Sequence, residues 1–516
     1  MEIWKEATIL IKEETSDFIN LIKTHNIPIL GILFITALAF GFEITNFTLS
    51  IDEERAIYDA GWNVPTVWIT QGRPGIALIK LIFNTDVIVP FWNTLLSVSV
   101  LLFASLIWSQ AFCKSVQDKK FKAGALFVFS VLFLTSPVHT EYMAFSTYNF
   151  EISVGYALTA IAVLFLSHWF SNKRKSALLL GIIAYVAALT IYQSFIAVFL
   201  CGVSILLVLQ FNNNLKQGKS ARVRESLWLL IQFMIILVMG VGLYKLIDML
   251  LQEFYPSSGY VEGFFWWTYL DKEIIVNELR RFITSMISGN KLFGVNLLLP
   301  TILAGGLVGL YYLFKGKGYK VLLTVLMIII IISPFLLSML LGSPTPLRAM
   351  QALPIMFAGV WLIVYQLIDR ETVKTLLIVV AFVVSIYQAQ TMTRLFYSDN
   401  LRYQGDIVLA QRVAERIAHL TAVENPSIPV VFVGTYTHKD NPNIIRSEIL
   451  GSSFFEWEGG NTHRIIAFMN TLGYNYRVPT KQDIEKAREL SADMTQWPDP
   501  GSIDSRENLI IVKLSN

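Results

Sequence analysis

The sequence predicts an α-helical polytopic membrane protein of about eleven transmembrane helices, with amphipathic juxtamembrane helices and a small α/β domain at its carboxy-terminal end. Three observations carry this expectation. Hydrophobic residues make up 54% of the 516 and charged residues 15%, with a mean hydropathy of +0.54, an apolar surplus that no soluble core of this length needs. Apolar runs of spanning length recur between residues 28 and 387, and the lysines and arginines between them gather in alternate loops. From about residue 393 the composition becomes that of a soluble domain.

Residues 1–27 place Ile3, Trp4, Ala7, Leu10, Ile11, Phe18, Leu21 and Ile22 at a helical period with Lys and Glu between them, which predicts an interfacial helix lying on the membrane. The spans follow at 28–47, 87–109, 123–137, 150–169, 177–192, 195–211, 227–249, 297–314, 321–341, 352–368 and 375–387. Lys114, Lys119, Lys120 and Lys122, then Lys173, Arg174 and Lys175, then Lys216, Lys219, Arg222 and Arg224, then Lys315, Lys317 and Lys320, and finally Arg370 and Lys374, fall on the side of the amino terminus. The positive-inside bias makes that side cytoplasmic. The loops at 138–149 and 192–195 carry no Lys or Arg, and an odd number of spans leaves the carboxy-terminal domain, 393–516, outside.

Two of the outer loops are long. Residues 49–86 hold apolar helical stretches around a Pro and Gly break, and 250–296 contain Phe264-Phe265-Trp266-Trp267, a cluster suited to the headgroup level. In the tail, 428–434 and 508–514 read as buried strands and 407–420 and 481–490 as helices. No internal repeat is visible, which counts against inverted-repeat transporter folds. Cys113 and Cys201 both fall at or inside apolar runs, so sulfur offers neither a disulfide framework nor a zinc site. A net charge of +3 without a basic patch interleaved with aromatics argues against nucleic acid, and no cleavable signal pattern is expected.

The candidate chemistry sits after the first span, where Asp52, Glu53 and Glu54 meet the outer interface and a carboxylate can deprotonate an acceptor hydroxyl. The competing reading is a capping box, since Ser50 precedes Glu53 by three residues and acids complement a helix's first turn. Arg73, in Gln71-Gly72-Arg73-Pro74-Gly75, offers a forked donor for phosphate, or else snorkels at a helix head. Arg348, in the short loop 342–348, is the only basic residue there and calls for a negative partner, a lipid phosphate or an acidic side chain. His139 and Glu141, with Gln71 and Glu54, can line the same cavity; the duller alternative for His139 and Glu141 is simple solvation. Lys272, Arg280 and Arg281 suit headgroups or an anionic acceptor, and equally ordinary interfacial anchoring. The sequon Asn46-Phe47-Thr48 sits at a membrane edge and is read as chance. No His/Asp/Glu cluster has ligand spacing, so no metal ligands are assigned and no cofactor is evident, although a divalent metal remains compatible.

The run Ser50-Ile51-Asp52-Glu53-Glu54 followed by Trp68 and Gln71-Gly72-Arg73, with Pro346-Leu347-Arg348 and then Leu395-Phe396-Tyr397, Arg402, Tyr403 and Asp406, resembles the serotype-converting glucosyltransferases of the Gtr type II family, membrane enzymes of the GT-C class. The resemblance implies a bacterial cell-membrane enzyme that moves a hexose, glucose first, from a polyprenyl-phosphate-linked donor to a surface glycan at the outer face, with inversion. It assigns Asp52 as base, with Glu53 as alternate or orienting partner, and Arg73 and Arg348 to the phosphate. The family favours paired aspartates, whereas here the second acid is Glu53. The partners implied are membrane lipid, the lipid-linked sugar and the glycan acceptor. Competing classes are a repeat-unit polymerase and a lipid-linked sugar flippase or transporter; the span interiors hold almost no ionisable residues to couple ions.

Overall fold

A computed structural model describes residues 2–58, 65–116, 119–218, 223–423, 426–438 and 442–516. Lys219 and Arg222, two of the orienting charges, lie outside the described residues, as does part of the first long loop. The chain is mainly helical. Helices α1 (Glu2–Thr24) and α2 (Asn26–Thr45) lead into three short helices of the first long loop, α3 (Glu53–Tyr58), α4 (Pro65–Thr70) and α5 (Pro74–Phe83). Then come α6 (Pro90–Lys114), α7 (Lys119–Leu134), the short α8 (Val138–Met143), α9 (Asn149–Asn172), α10 (Lys175–Ile191), α11 (Phe195–Lys216) and α12 (Val223–Gln252). After a surface helix, α13 (Lys272–Ile287), follow α14 (Leu298–Lys315), α15 (Lys320–Ile332), α16 (Leu336–Leu341), α17 (Ala352–Leu367) and α18 (Glu371–Thr421). Two helices, α19 (Thr462–Thr471) and α20 (Lys481–Leu490), belong to the carboxy-terminal unit.

Among the described residues, eight helical segments are long and apolar enough to cross a membrane: α2, α6, α9, α11, α12, α14, the joined α15–α16 and α18. The joint is a 3₁₀ turn at Ser333–Phe335, where Pro334 lacks the N–H that an unbroken α-helix would use. Three shorter apolar helices, α7, α10 and α17, coincide with the remaining predicted runs. Helices α6, α9, α11 and α17 are largely enclosed, whereas α2, α12 and α18 turn long rows of Leu, Ile and Val outward, the arrangement expected where lipid covers the outer faces.

Helix α1 does more than rest on lipid. Its Glu14 carboxylate, buried, takes hydrogen bonds from Lys114, from His168 Nε2 at 2.6 Å and from Gln110 Nε2 at 2.8 Å, and Glu13 pairs with Arg174 at 3.1 Å. Leu10 packs on Phe165 and Ala177. The amphipathic pattern is therefore split, one stripe docked on the ends of α6, α9 and α10 while Ile3, Trp4, Ile9 and Ile19 stay exposed.

The 51 residues of α18 form one continuous helix, about 75 Å long at 1.5 Å per residue. Its second half is the helix expected at 407–420, joined without a break to the last apolar run. That half packs on a three-stranded sheet of order β1-β3-β2, with β1 (Val430–Val433) parallel and β2 (Ile503–Arg506) antiparallel to β3 (Leu509–Lys513). Ile510 and Val512 face α18 and α19, where Val413, Ile417, Ile465 and Phe468 meet them, and Leu509 and Ile511 face Ala487 of α20. The period-two alternation of β3 thus covers both faces of the sheet.

Midway along α18, between its apolar first half and the half that packs on the sheet, sits Arg402, 1% exposed. It bonds Asp399 Oδ1 at 3.0 Å, Asp406 Oδ2 at 3.3 Å and the Leu49 carbonyl at 2.8 Å. Replacing it with methionine should strand two buried carboxylates and cost roughly 3–5 kcal/mol. Thermal unfolding of the purified protein in detergent checks this, and an unchanged midpoint would contradict it.

Candidate active site

The loop after α2 is held by α18 before it reaches its acids. Asn400 Nδ2 donates to the Phe47 carbonyl at 3.0 Å and to Thr48 Oγ1 at 2.9 Å, and Ser50 Oγ donates to Asp399 Oδ2 at 3.3 Å. Half of the predicted capping box forms, since the Ser50 N–H donates to Glu53 Oε2 at 3.0 Å. The other half does not, because the Ser50 hydroxyl is engaged by Asp399. Glu53 Oε1 instead accepts the Ser146 N–H, which ties the loop to the turn between α8 and α9. Glu53 is fully buried, and burial pushes its carboxyl up to about 7 against the opposing effect of those two N–H groups.

Asp52 stands apart from its neighbours. Its φ is +79°, a strained region for a residue with a Cβ, and its side chain is 34% exposed. Arg464, in the first turn of α19, grips the trio from the other side: Nη2 lies 2.8 Å from Asp52 Oδ1 and 2.9 Å from Glu458, and Nη1 lies 2.8 Å from Glu54 Oε1. Glu54 is buried, and burial raises its carboxyl to about 7 although Arg464 pulls it down. Arg464 was not among the sequence-derived site residues.

Gly72, at φ +72°, and Gly75 shape the turn that presents Arg73. A Cβ at Gly75 would meet the Ile191 backbone nitrogen at 2.9 Å and Thr190 Oγ1 at 2.5 Å, so only glycine lets α5 pack here. The Gly72 carbonyl accepts Gln193 Nε2 at 3.1 Å and the Tyr244 hydroxyl at 2.9 Å. Arg73 itself is buried. It lies 4.2 Å above the Tyr192 ring, donates to Gln71 Oε1 at 3.0 Å and leaves Nε without a partner. Among the described residues no carboxylate is within ion-pair distance of it. Arg348 has one, Glu448 Oε1 at 3.0 Å, and its guanidinium lies 5.6 Å from the Phe145 ring.

Glu53 and the two arginines converge on residues 145–148. Ser146 takes Glu53, Phe145 underlies Arg348 and stacks on Tyr148 at 5.0 Å, and Tyr148 packs edge-on to Trp68 at 5.7 Å. Burial pushes the Tyr148 phenol up while Arg348 and Arg73 both act to lower it, so the ring lies in the field of the two cations. Of the predicted residues, Glu53, Arg73 with Gln71, and Arg348 thus converge on this turn, while Asp52 and Glu54 are held together by Arg464.

His139 and Glu141 are not solvated; both are fully buried. His139 Nε2 bonds the Phe133 carbonyl at 2.9 Å amid Phe133, Tyr142 and Tyr156, and burial takes its pKa down to about 3, so the ring is a neutral packing element. Glu141 lies beside the Ser447 hydroxyl and Arg348, yet neither oxygen has a well-formed hydrogen bond. Glu151, at the start of the fourth predicted span, pairs at 3.4 Å with Lys80 of α5, a buried lysine that the sequence did not single out. Asn46 Nδ2 bonds the Phe42 carbonyl at the end of α2. Among the described residues no group of three or more His, Cys, Asp and Glu side chains is placed to hold a metal ion.

A family model described as Glucosyl transferase GtrII matches residues 41–365. The chain belongs to the GtrII glucosyltransferase family. The match starts at the end of α2 and takes in the acidic loop, both arginines and the 145–148 turn; α18 and the sheet, with residues 395–406 and Arg464, lie beyond it. No curated protein and no solved structure matches significantly. The GtrII assignment makes the protein a glycosyltransferase with a sugar donor and a glycan acceptor.

Glu141 generates a pH prediction. Burial raises its folded pKa to about 7 from 4.5, so the native state holds a proton that the unfolded chain has lost, and stability falls as pH rises across that interval. Glu141→Gln should remove the Glu141 share of that fall, raising the melting midpoint at pH 8 relative to wild type and leaving it nearly unchanged at pH 4. Melting curves at the two values test the sign.

Proposed function

We propose that this GtrII protein transfers glucose from a polyprenyl-phosphate carrier to a surface glycan at the outer face of a bacterial cell membrane. In this reading the chain spans the membrane about eleven times, with α7, α10 and α17 counted as spans, the amino terminus inside and the sheet outside. Arg73 carries the argument. A buried guanidinium with no carboxylate at ion-pair distance among the described residues is costly unless an anion arrives, and a phosphodiester matches its fork.

The acceptor hydroxyl attacks the anomeric carbon from the face opposite the phosphate, so the new C–O bond forms as the old one breaks and the configuration inverts. Asp52 takes the hydroxyl proton, and polyprenyl phosphate departs with the bonding electron pair. Arg73 and Arg348 balance the charge that grows on the leaving oxygen. Asp52 is the acid with solvent access, while Glu53 is committed to two backbone N–H groups and acts as orienting partner. The cytoplasmic loops assigned here are short, and a lipid-linked donor arrives with its leaving group already activated.

In proteoliposomes with labelled polyprenyl-phosphate glucose, Asp52→Asn should abolish transfer with donor affinity unchanged, because the amide keeps the shape but accepts no proton. Near-normal turnover with lowered thermal stability would instead assign the loop a structural role. Arg73→Ala and Arg348→Ala should each weaken donor binding by about ten- to a hundredfold, the loss of one charge-assisted contact, with lysine rescuing only in part. Unchanged donor affinity in both would remove them from the phosphate site. A topology reporter fused after Asn516 should be active only outside the cytoplasm and one inserted near Lys173 only inside; a cytoplasmic carboxy terminus would overturn the orientation.

A further inference from the structure

A groove of about 700 Å³ lies beside Arg348, walled by α13 on one side, by residues 344–347 on another and by residues 446–448 of the carboxy-terminal unit on the third. Its volume falls within the range of about 300–1,000 Å³ usual for ligand sites. Glu448, on its wall, is the residue that pairs with Arg348, so the groove adjoins the arginine site through that ion pair.

The lining says what class of molecule fits. Phe264, Phe282 and Phe293 present aromatic surface, the kind of platform on which the C–H face of a pyranose ring packs. Between them stand groups of both charge signs. Arg281 is already paired with Glu278 at 2.6 Å, and Arg446 with Glu456 at 3.2 Å. Lys291 also lines the groove and has no ion pair among the described residues. A phosphate site wants enclosed cations with unspent charge, as Arg73 has; paired arginines and acids with the single exposed Lys291 and with Ser285, Asn290 and Ser447 among them suit uncharged hydroxyls, which both donate and accept. Ser447 Oγ, on the wall, adjoins the Glu141 carboxyl without a well-formed hydrogen bond to it. Buried polar atoms left open beside a cavity are what a polar ligand would satisfy.

We infer that this groove between α13, the 344–347 loop and the carboxy-terminal unit binds the acceptor glycan chain, its sugar rings stacked on the phenylalanines. The inference rests on the glycosyl-transfer reading above and deepens it by dividing the substrates: the phosphate of the donor on the Arg73 side, the acceptor chain on the α13 side. It also gives the carboxy-terminal unit, which lies beyond the family match, a part in acceptor choice.

The test uses the full chain in nanodiscs and two probes: polyprenyl-phosphate glucose, and oligosaccharides released by mild acid from the surface polysaccharide of cells lacking this protein. Ser285→Trp fills the groove from α13 and Lys291→Trp from the neighbouring turn; two variants on different elements guard against a folding defect in either. Each should raise the KM for the oligosaccharide by about tenfold or more and leave donor KM and the melting midpoint unchanged. Unchanged oligosaccharide KM in both variants would overturn the groove assignment. A rise in donor KM instead would also overturn it, by making the groove a lipid-phosphate site. Wild-type protein that binds neither probe would defeat the glycosyl-transfer reading itself, an outcome distinct from a defect confined to the variants.

Discussion

Arg402 is the side chain on which the arrangement of the site depends. A guanidinium enclosed to this degree is tolerable only with its charge matched and its donors used, and here the partners come from two distant parts of the chain: Asp399 and Asp406 on its own helix, the Leu49 carbonyl from the acidic loop. Asp399 passes the link on to Ser50 and to the Gly451 N–H, and Asp406 to His438, Ser453 and Phe454. One ion cluster thus fixes three things relative to each other: the helix leaving the apolar bundle, the loop bearing the acids and the segment that leads to Arg464. Because α18 is continuous through it, the sheet is carried on a rigid strut rather than a linker.

The charges near the 145–148 turn are then distributed unevenly. On the Asp52 side a single arginine is shared among three acids; on the Arg73 side a buried cation has no acid at ion-pair distance among the described residues. The enclosed Arg73 charge pays desolvation, whereas Asp52 keeps part of its contact with solvent. A substrate that brings an anion to Arg73 and a proton-bearing hydroxyl toward Asp52 would suit both, and this is the complement that a phosphate leaving group and an alcohol acceptor supply.

Much of the fold was legible because its cause is local. Apolar runs of spanning length had to become helices, and the short continuous apolar runs at 428–434 and 508–514 read as buried strands. β2 was missed because Ile503-Asp504-Ser505-Arg506 holds no such apolar run; it is a strand by virtue of pairing with β3. The continuity of α18 was in the sequence, where no proline separates the last apolar run from 407–420. The acids and both arginines were legible as isolated charges at the edges of apolar runs. Arg464 was not, since it reaches Glu54 across 410 positions, and no local pattern in α19 distinguishes it from an ordinary helix-surface arginine. Lys80 did leave a signal, a lone cation inside Ile-Ala-Leu-Ile-Lys-Leu-Ile-Phe, whose buried pairing with Glu151 is the explanation.

Three consecutive acids need not share a role, and their surroundings separate them. Glu53 has both oxygens taken by backbone N–H groups and no solvent contact, so moving it to meet a substrate would break the link between loop and turn. Glu54 is enclosed with one oxygen on Arg464, which suits it to setting where that arginine stands. Asp52 alone has access, and at its positive φ its carboxylate shares the Arg464 guanidinium with Glu54. Strain of that kind persists only when the surroundings enforce it; here Glu53 on one side and Arg464 on the other do so. On the proposed mechanism the two glutamates therefore act by holding the aspartate, and the loss of either would show first as a misplaced base rather than a missing one.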